Sequence, residues 1–164
     1  MNIEKYTERA RGFVQSAQTY ALGQGHQQFQ PIHLLKVLLD DDQGMSAGLI
    51  ERAGGNMATI RAAVEQSLGK IPKVSGDGGQ VYLSRELAKV FETAESAAQK
   101  AGDSFVTVER LLLALLIEKG TDAGRALAAG GLTPSGLNEA INVIRKGRTA
   151  DSASAESQYD ALKK

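Results

Sequence analysis

The side chains best suited to chemistry in this sequence are few and scattered. Its only imidazoles, His26 and His33, fall in a loop and in the first turn of an apolar helix, with no carboxylate at metal-ligand spacing. A general base or a zinc site needs such partners, so neither role is expected. Asp40-Asp41-Asp42 offers hard oxygen donors, but the alternating ligand pattern of a calcium loop does not follow it, and it reads as a solvated helix end. Gly54-Gly55 and Gly130-Gly131 match neither a phosphate loop nor a dinucleotide fingerprint; each follows a helical stretch and reads as its cap. Arg145, Lys146 and Arg148 close the last helix, where cations complement the helix dipole rather than form a nucleic-acid patch. No catalytic centre, metal site or cofactor site is expected in this chain.

The scaffold behind these residues is written twice. Residues 6–39 superpose on 83–116 at a constant offset of 77: Ala17 falls on Ala94, Ala21 on Ala98 and Gly25 on Gly102. Leu34-Leu35-x-x-Leu38-Leu39 falls on Leu111-Leu112-x-x-Leu115-Leu116. Further on, Gly44-x-x-Ala47-Gly48 matches Gly120-x-x-Ala123-Gly124, and Ala53-Gly54-Gly55 matches Ala129-Gly130-Gly131, which implies a one-residue deletion in the second copy. Recurrence in register implies one supersecondary unit duplicated about a pseudo-two-fold axis.

Each copy reads as four helices. In the first, Tyr6, Ala10, Phe13, Ala17 and Tyr20 recur at helical spacing over 5–22, closed by Gly23 and Gly25. Pro31 opens a second helix that is apolar on nearly all sides and must be central. Short helices over 45–53 and 57–68 complete the unit. The second copy predicts helices over 84–101, 108–118, 122–129 and 134–146, with Thr107 as an N-cap and Pro134 in a first turn. The chain therefore divides into a first repeat (1–70), a Pro/Gly loop (71–83), a second repeat (84–147) and a flexible linker running into a further helix (148–164). The expected fold class is all-α: two pseudo-symmetric four-helix repeats packed directly together as one globular domain.

Composition agrees. Nineteen basic and nineteen acidic side chains cancel, so no global field attracts nucleic acid or an anionic membrane. Cys is absent, which excludes disulfides and thiolate metal sites. No apolar run approaches the roughly 20 residues that span a bilayer. A soluble, cytoplasmic, non-catalytic module is the expectation, its inter-copy seam a concave surface for an extended chain.

The block Thr-Glu-Arg-Ala…Gln-Ser-Ala-Gln…Ala-Leu-Gly-Gln-Gly-His…Pro-Ile-His-Leu-Leu-x-x-Leu-Leu, with its second copy through Val-Glu-Arg-Leu-Leu-Leu-Ala-Leu-Leu, resembles the amino-terminal repeat domain of the Hsp100/Clp ATPases. The opening, the Gly-Asp-Gly-Gly loop and the Ala-Leu-Lys-Lys ending resemble its disaggregase branch; the runner-up is the adaptor-binding N-domain of the Clp protease ATPases. The resemblance implies a domain above a homohexameric ring of two AAA+ modules that threads aggregated polypeptide with the Hsp70 system. ATP and Mg2+ would then serve the full-length protein and not this chain, and the isolated domain would be a monomer. It also implies substrate engagement by polar residues near the inter-copy surface, here Thr7, Asp103 and Glu109, beside an apolar groove. Arg110 joins them as a departure, standing where the family often carries an apolar residue. Read as residues alone, Thr7 and its counterpart Ser84 suit helix starts, Glu109 suits a first turn, and Asp103 suits a turn after Gly102.

Overall fold

The structure, a computed structural model, describes residues 2–41, 44–74 and 80–162. Asp42 of the acidic run and the Gly76–Gly79 loop lie outside the described residues, as do the final two lysines. Within them the chain forms α1 (Glu8–Gly23), α2 (Pro31–Asp40), α3 (Met45–Arg52) and α4 (Met57–Gly69). The second copy supplies α5 (Arg85–Lys100), α6 (Val108–Ile117), α7 (Asp122–Ala129) and α8 (Pro134–Arg145), and α9 (Ala155–Leu162) follows. Two dipeptide strands, β1 (Gln28–Phe29) and β2 (Tyr82–Leu83), complete it. The fold is all-α, as the periodicity predicts. The first helix starts later than expected because Ile3–Lys5 makes its own 3-10 turn and Thr7 caps α1, its hydroxyl accepting the Ala10 N–H. Ser84 caps α5 in the same way through the Leu87 N–H.

The deletion inferred from the glycine pattern is not there. α3 and α7 begin at Met45 and Asp122, and the glycines that take positive φ are Gly54 (87°) and Gly131 (94°). Both pairs keep the offset of 77. The doublets misled because only one glycine of each reverses the chain.

The two copies are crossed. Phe29 of β1 pairs with Leu83 of β2 in parallel, and Val106 bridges Tyr6 in the same sense. Adding 77 to Phe29 gives Val106, and adding it to Tyr6 gives Leu83, so these are one contact seen twice. The Thr7 N–H donates to the Val106 carbonyl and the Ser84 N–H to the Phe29 carbonyl, both at 3.0 Å. Each repeat thus enters its first helix along the other's strand. At the centre α2 packs on α6, with Leu34, Leu35, Leu38, Leu111, Leu112 and Leu115 fully buried. Burying each such leucine stabilises by about 1.5–3 kcal/mol over leaving it exposed.

The segment expected to be a flexible tether lies against the domain. Ala150, Ala155, Glu156 and Tyr159 are all buried. Its alanines and serines supply little apolar area, and a few anchoring contacts, not composition, hold it.

The two histidines meet in the core. His33 Nδ1 accepts the Gln30 N–H (2.9 Å), which leaves its proton on Nε2 to donate to His26 Nδ1 (2.8 Å). Burial, with His26 alongside, pushes His33 down to about 4, so both rings stay neutral at physiological pH. A histidine neutral in the fold and protonated in the unfolded chain contributes stability above about 6.5 that is lost as pH falls toward about 4. We expect His33 to account for about 3 kcal/mol of acid destabilisation over that window. Urea titrations of the wild type and His33→Gln at a series of pH values test this, the wild type showing the steeper loss.

Candidate functional site

Three turns bring the expected site residues together. Gly102, at φ 79°, reverses the chain after α5 and presents Asp103. Thr107 caps α6, and the first turn of α6 carries Glu109 and Arg110. Lys146 (φ 53°) and Gly147 (φ 82°) turn the chain back at the end of α8, placing Arg145 inward.

Arg145 is the hub, though as a sequence it reads only as a dipole-complementing cation. Its Nη1 donates to both Asp103 oxygens (2.7 and 2.9 Å), its Nε to Glu109 (2.9 Å) and its Nη2 to the Thr107 hydroxyl (3.0 Å). Arg110 joins through Nε to Asp103 (3.2 Å) and Nη1 to the Asn138 carbonyl oxygen (3.0 Å). The Tyr159 ring lies 5.2 Å from the Arg145 guanidinium carbon, within cation–π range. Glu156 completes the set: one of its oxygens accepts the Thr7 hydroxyl (2.6 Å) and the Val108 N–H (3.0 Å). That carboxylate therefore sits at the positive ends of both α1 and α6.

The expected quartet is thus assembled, but its members are buried: Thr7, Glu109 and Arg110 are nearly inaccessible, and the Asp103 side chain is fully covered. They do not form an exposed polar rim, because residues 150–159 lie over them. Arg110 is accommodated where an apolar residue would serve because Asp103 and Asn138 satisfy its guanidinium.

Burial works against the Asp103 charge, but Arg145, the Ala150 N–H and Arg110 outweigh it and hold the carboxyl below its usual range. Burial pushes Glu109 up; Arg145 offsets part of this, and the neighbouring Glu156 charge adds to it. Burial likewise pushes the Tyr159 phenol up to about 12. One oxygen of Glu109, one of Glu156 and the Tyr159 hydroxyl have no hydrogen-bond partner among the described residues. The Thr7 hydroxyl that meets the Glu156 carboxylate is buried and also caps α1, and among the described residues no cluster of three acids or histidines is set to hold a metal. The contacts form a closed network of ion pairs and hydrogen bonds around Arg145.

Next to it runs a cleft of about 300 Å³ between the copies, lined by Arg9, Phe13, Met45, Ser46 and Val108. Arg9 also reaches the Ser157 hydroxyl (3.5 Å), joining the cleft to the covering segment. The pseudo-dyad generates a second cleft from Pro31, Glu86, Thr121 and Asp122, at 220 Å³. There Arg125 is paired to Asp122 and to the Gly120 carbonyl, so the second copy of the cleft is polar and occupied. The first is mixed: Phe13, Met45 and Val108 give it an apolar side, and Arg9, Asp41 and Ser46 a polar one.

The network also has a counterpart. Asp103 and Arg110 answer to His26 and His33, Glu109 to Ile32 and Arg145 to Leu68, all 77 residues apart. One copy keeps a neutral imidazole pair where the other keeps an ion pair. No helix among the described residues is long and apolar enough to cross a membrane.

Comparisons with known proteins follow this geometry. The family model described as the Clp repeat (R) N-terminal domain matches residues 5–129. The chaperone protein ClpB of Rhodopseudomonas palustris is 66% identical over the whole of this chain, which spans 19% of that relative's length. The Hsp104 N-terminal domain from Candida albicans superposes with a TM-score of 0.78 at 23% identity, covering 92% of this chain and 98% of that one. A ClpV N-domain solved in complex with a VipB peptide superposes with a TM-score of 0.69 at 17% identity, covering 92% of each.

Proposed function

The chain belongs to the Clp repeat N-terminal domain family, and on that premise we propose that it is the substrate-engaging domain of a ClpB-type disaggregase. It holds unfolded or aggregated polypeptide for threading by AAA+ modules elsewhere in the full-length protein. Those modules would form the homohexamer, use ATP and Mg2+ and work with the Hsp70 system in the cytoplasm; this domain would perform no reaction itself.

The observation that carries the reading is the seam. A cleft with an apolar side of Phe13, Met45 and Val108, rimmed by Arg9, Asp41 and Ser46, adjoins a polar network containing Thr7, Asp103, Glu109 and Arg110. A cleft this small grips an exposed apolar side chain without demanding a sequence, and weak grip suits a ligand that a motor must pull away. Support of a general kind comes from the ClpV relative, whose N-domain is described in complex with a peptide. Fold likeness alone would not carry a function.

Alanine at Asp103 or Glu109 is a poor test, because it unpairs buried Arg145 and mixes binding with stability. Phe13 is the cleaner probe, since it is only partly buried. Phe13→Ala is expected to weaken binding of an unfolded model protein about tenfold, the equivalent of about 1.4 kcal/mol of lost apolar contact. Fluorescence anisotropy with a labelled, permanently unfolded protein measures it. Unchanged affinity would remove the cleft from the reading, and fixed-stoichiometry binding of a folded adaptor with no affinity for unfolded chain would favour the protease-ATPase branch.

A further inference from the structure

We propose that residues 150–159 are an internal ligand: a strap that covers the polar part of the polypeptide-binding surface, beside the cleft, until a client displaces it. The displacing segment it points to carries a carboxylate followed three residues later by an aromatic ring. This inference rests on the reading of the domain as a polypeptide binder.

The strap is held as a bound peptide is held. Its backbone docks on amides and carboxylates that take no account of sequence. The Ala153 carbonyl accepts the Glu8 N–H (2.8 Å), and the Ala150 carbonyl accepts the Ser104 and Phe105 N–H groups (2.9 and 3.1 Å). The Ala150 N–H donates to Asp103 (2.9 Å). Two side chains then anchor it. Glu156 bridges the Thr7 hydroxyl and the Val108 N–H at two helix N-termini, and Tyr159, one turn on, lies against Arg145. Every residue of the expected quartet is covered by, or bonded to a residue covered by, this one segment.

The same contacts show that the strap is incomplete as a piece of core. One Glu156 oxygen and the Tyr159 hydroxyl are buried without hydrogen-bond partners among the described residues. Each therefore forfeits a water hydrogen bond on docking, which favours release. α9 is eight residues long and packs chiefly on α8, and a helix that short is marginal without its docking site. A site closed by a weakly held occupant binds an external ligand with an affinity reduced by the fraction of molecules that are open.

The test uses the full chain with a reduced, carboxymethylated unfolded protein as client. Glu156→Gln combined with Tyr159→Ala removes both anchors. Amide hydrogen exchange at Ser104, Phe105 and Ala150 is expected to quicken in this variant, and client affinity to rise about tenfold. In the wild type, adding client is expected to quicken exchange across 150–159; this measurement does not depend on the variant folding normally. A free peptide of residues 149–162 should compete with client on the double variant, and the same peptide carrying both substitutions should not. If exchange shows the strap released while affinity stays unchanged, or if client leaves wild-type strap exchange untouched, the strap proposal falls and the binding reading stands. If unfolded protein binds neither form, the binding reading itself falls.

Discussion

Replacing Arg145 by alanine is expected to lower the stability of the domain by about 3–5 kcal/mol, the cost of leaving buried carboxylates without their cation. Arg145 holds both Asp103 oxygens and one of Glu109, and its side chain is 2% exposed. Removing it leaves the Asp103 carboxylate with Arg110 and the Ala150 N–H, and the Glu109 carboxylate, already pushed upward by burial, without its cation. Thermal unfolding should fall by roughly 10 °C for a chain of this size. Arg145→Lys keeps the charge but cannot fork to Asp103 while also reaching Glu109 and Thr107, so it is expected to recover only part of the loss. Urea denaturation of the three proteins at neutral pH measures the series. Wild-type stability in the alanine variant would mean that the network contributes nothing.

Gly124→Ala is the second large effect. A methyl group there would sit 2.3 Å from the Glu118 carbonyl oxygen and 2.9 Å from that of Leu115. Both obstacles are backbone at the end of α6, so α7 must move away as a unit, and we expect a loss of about 2–3 kcal/mol. Gly48 in α3 makes the opposite case, because nothing lies within 4 Å of the position its Cβ would take. Gly48→Ala is expected to gain up to about 1 kcal/mol from helix propensity alone. Shifts in urea midpoint of opposite sign, the loss at Gly124 the larger, would support the geometry; two gains would show that α7 relaxes freely. The counterpart of Gly124 is Ala47, which carries its methyl without difficulty, so the tolerance of a fold position differs between its two copies.

The helices were legible because leucine period, proline and hydroxyl caps all pointed the same way. Thr7 and Ser84 were readable as caps, and each accepts the amide three residues on. The ion network was harder to see, though a signal existed. Arg145 follows Leu137 and Ile141 at steps of four, on the face that α8 buries, where a solvated cation does not belong. The repeat carried a second signal. His26 and His33 stand where Asp103 and Arg110 stand, so two polar pairs with one spacing implied two polar contacts across one turn. The strap left almost no trace, because Ala and Ser pack without a hydrophobic pattern and its anchors are single residues. Hydrogen bonds from backbone to backbone, which fix most of it, have no compositional signature.

The crossed strands bear on how the chain comes into being. Tyr6 and Thr7 leave the ribosome well before the residues that close over them, Val106 and Glu156, which are made a hundred or more positions later. Synthesis therefore cannot complete one repeat and then the other; the entry to α1 must wait, held only by local helix, until residues near 156 have emerged.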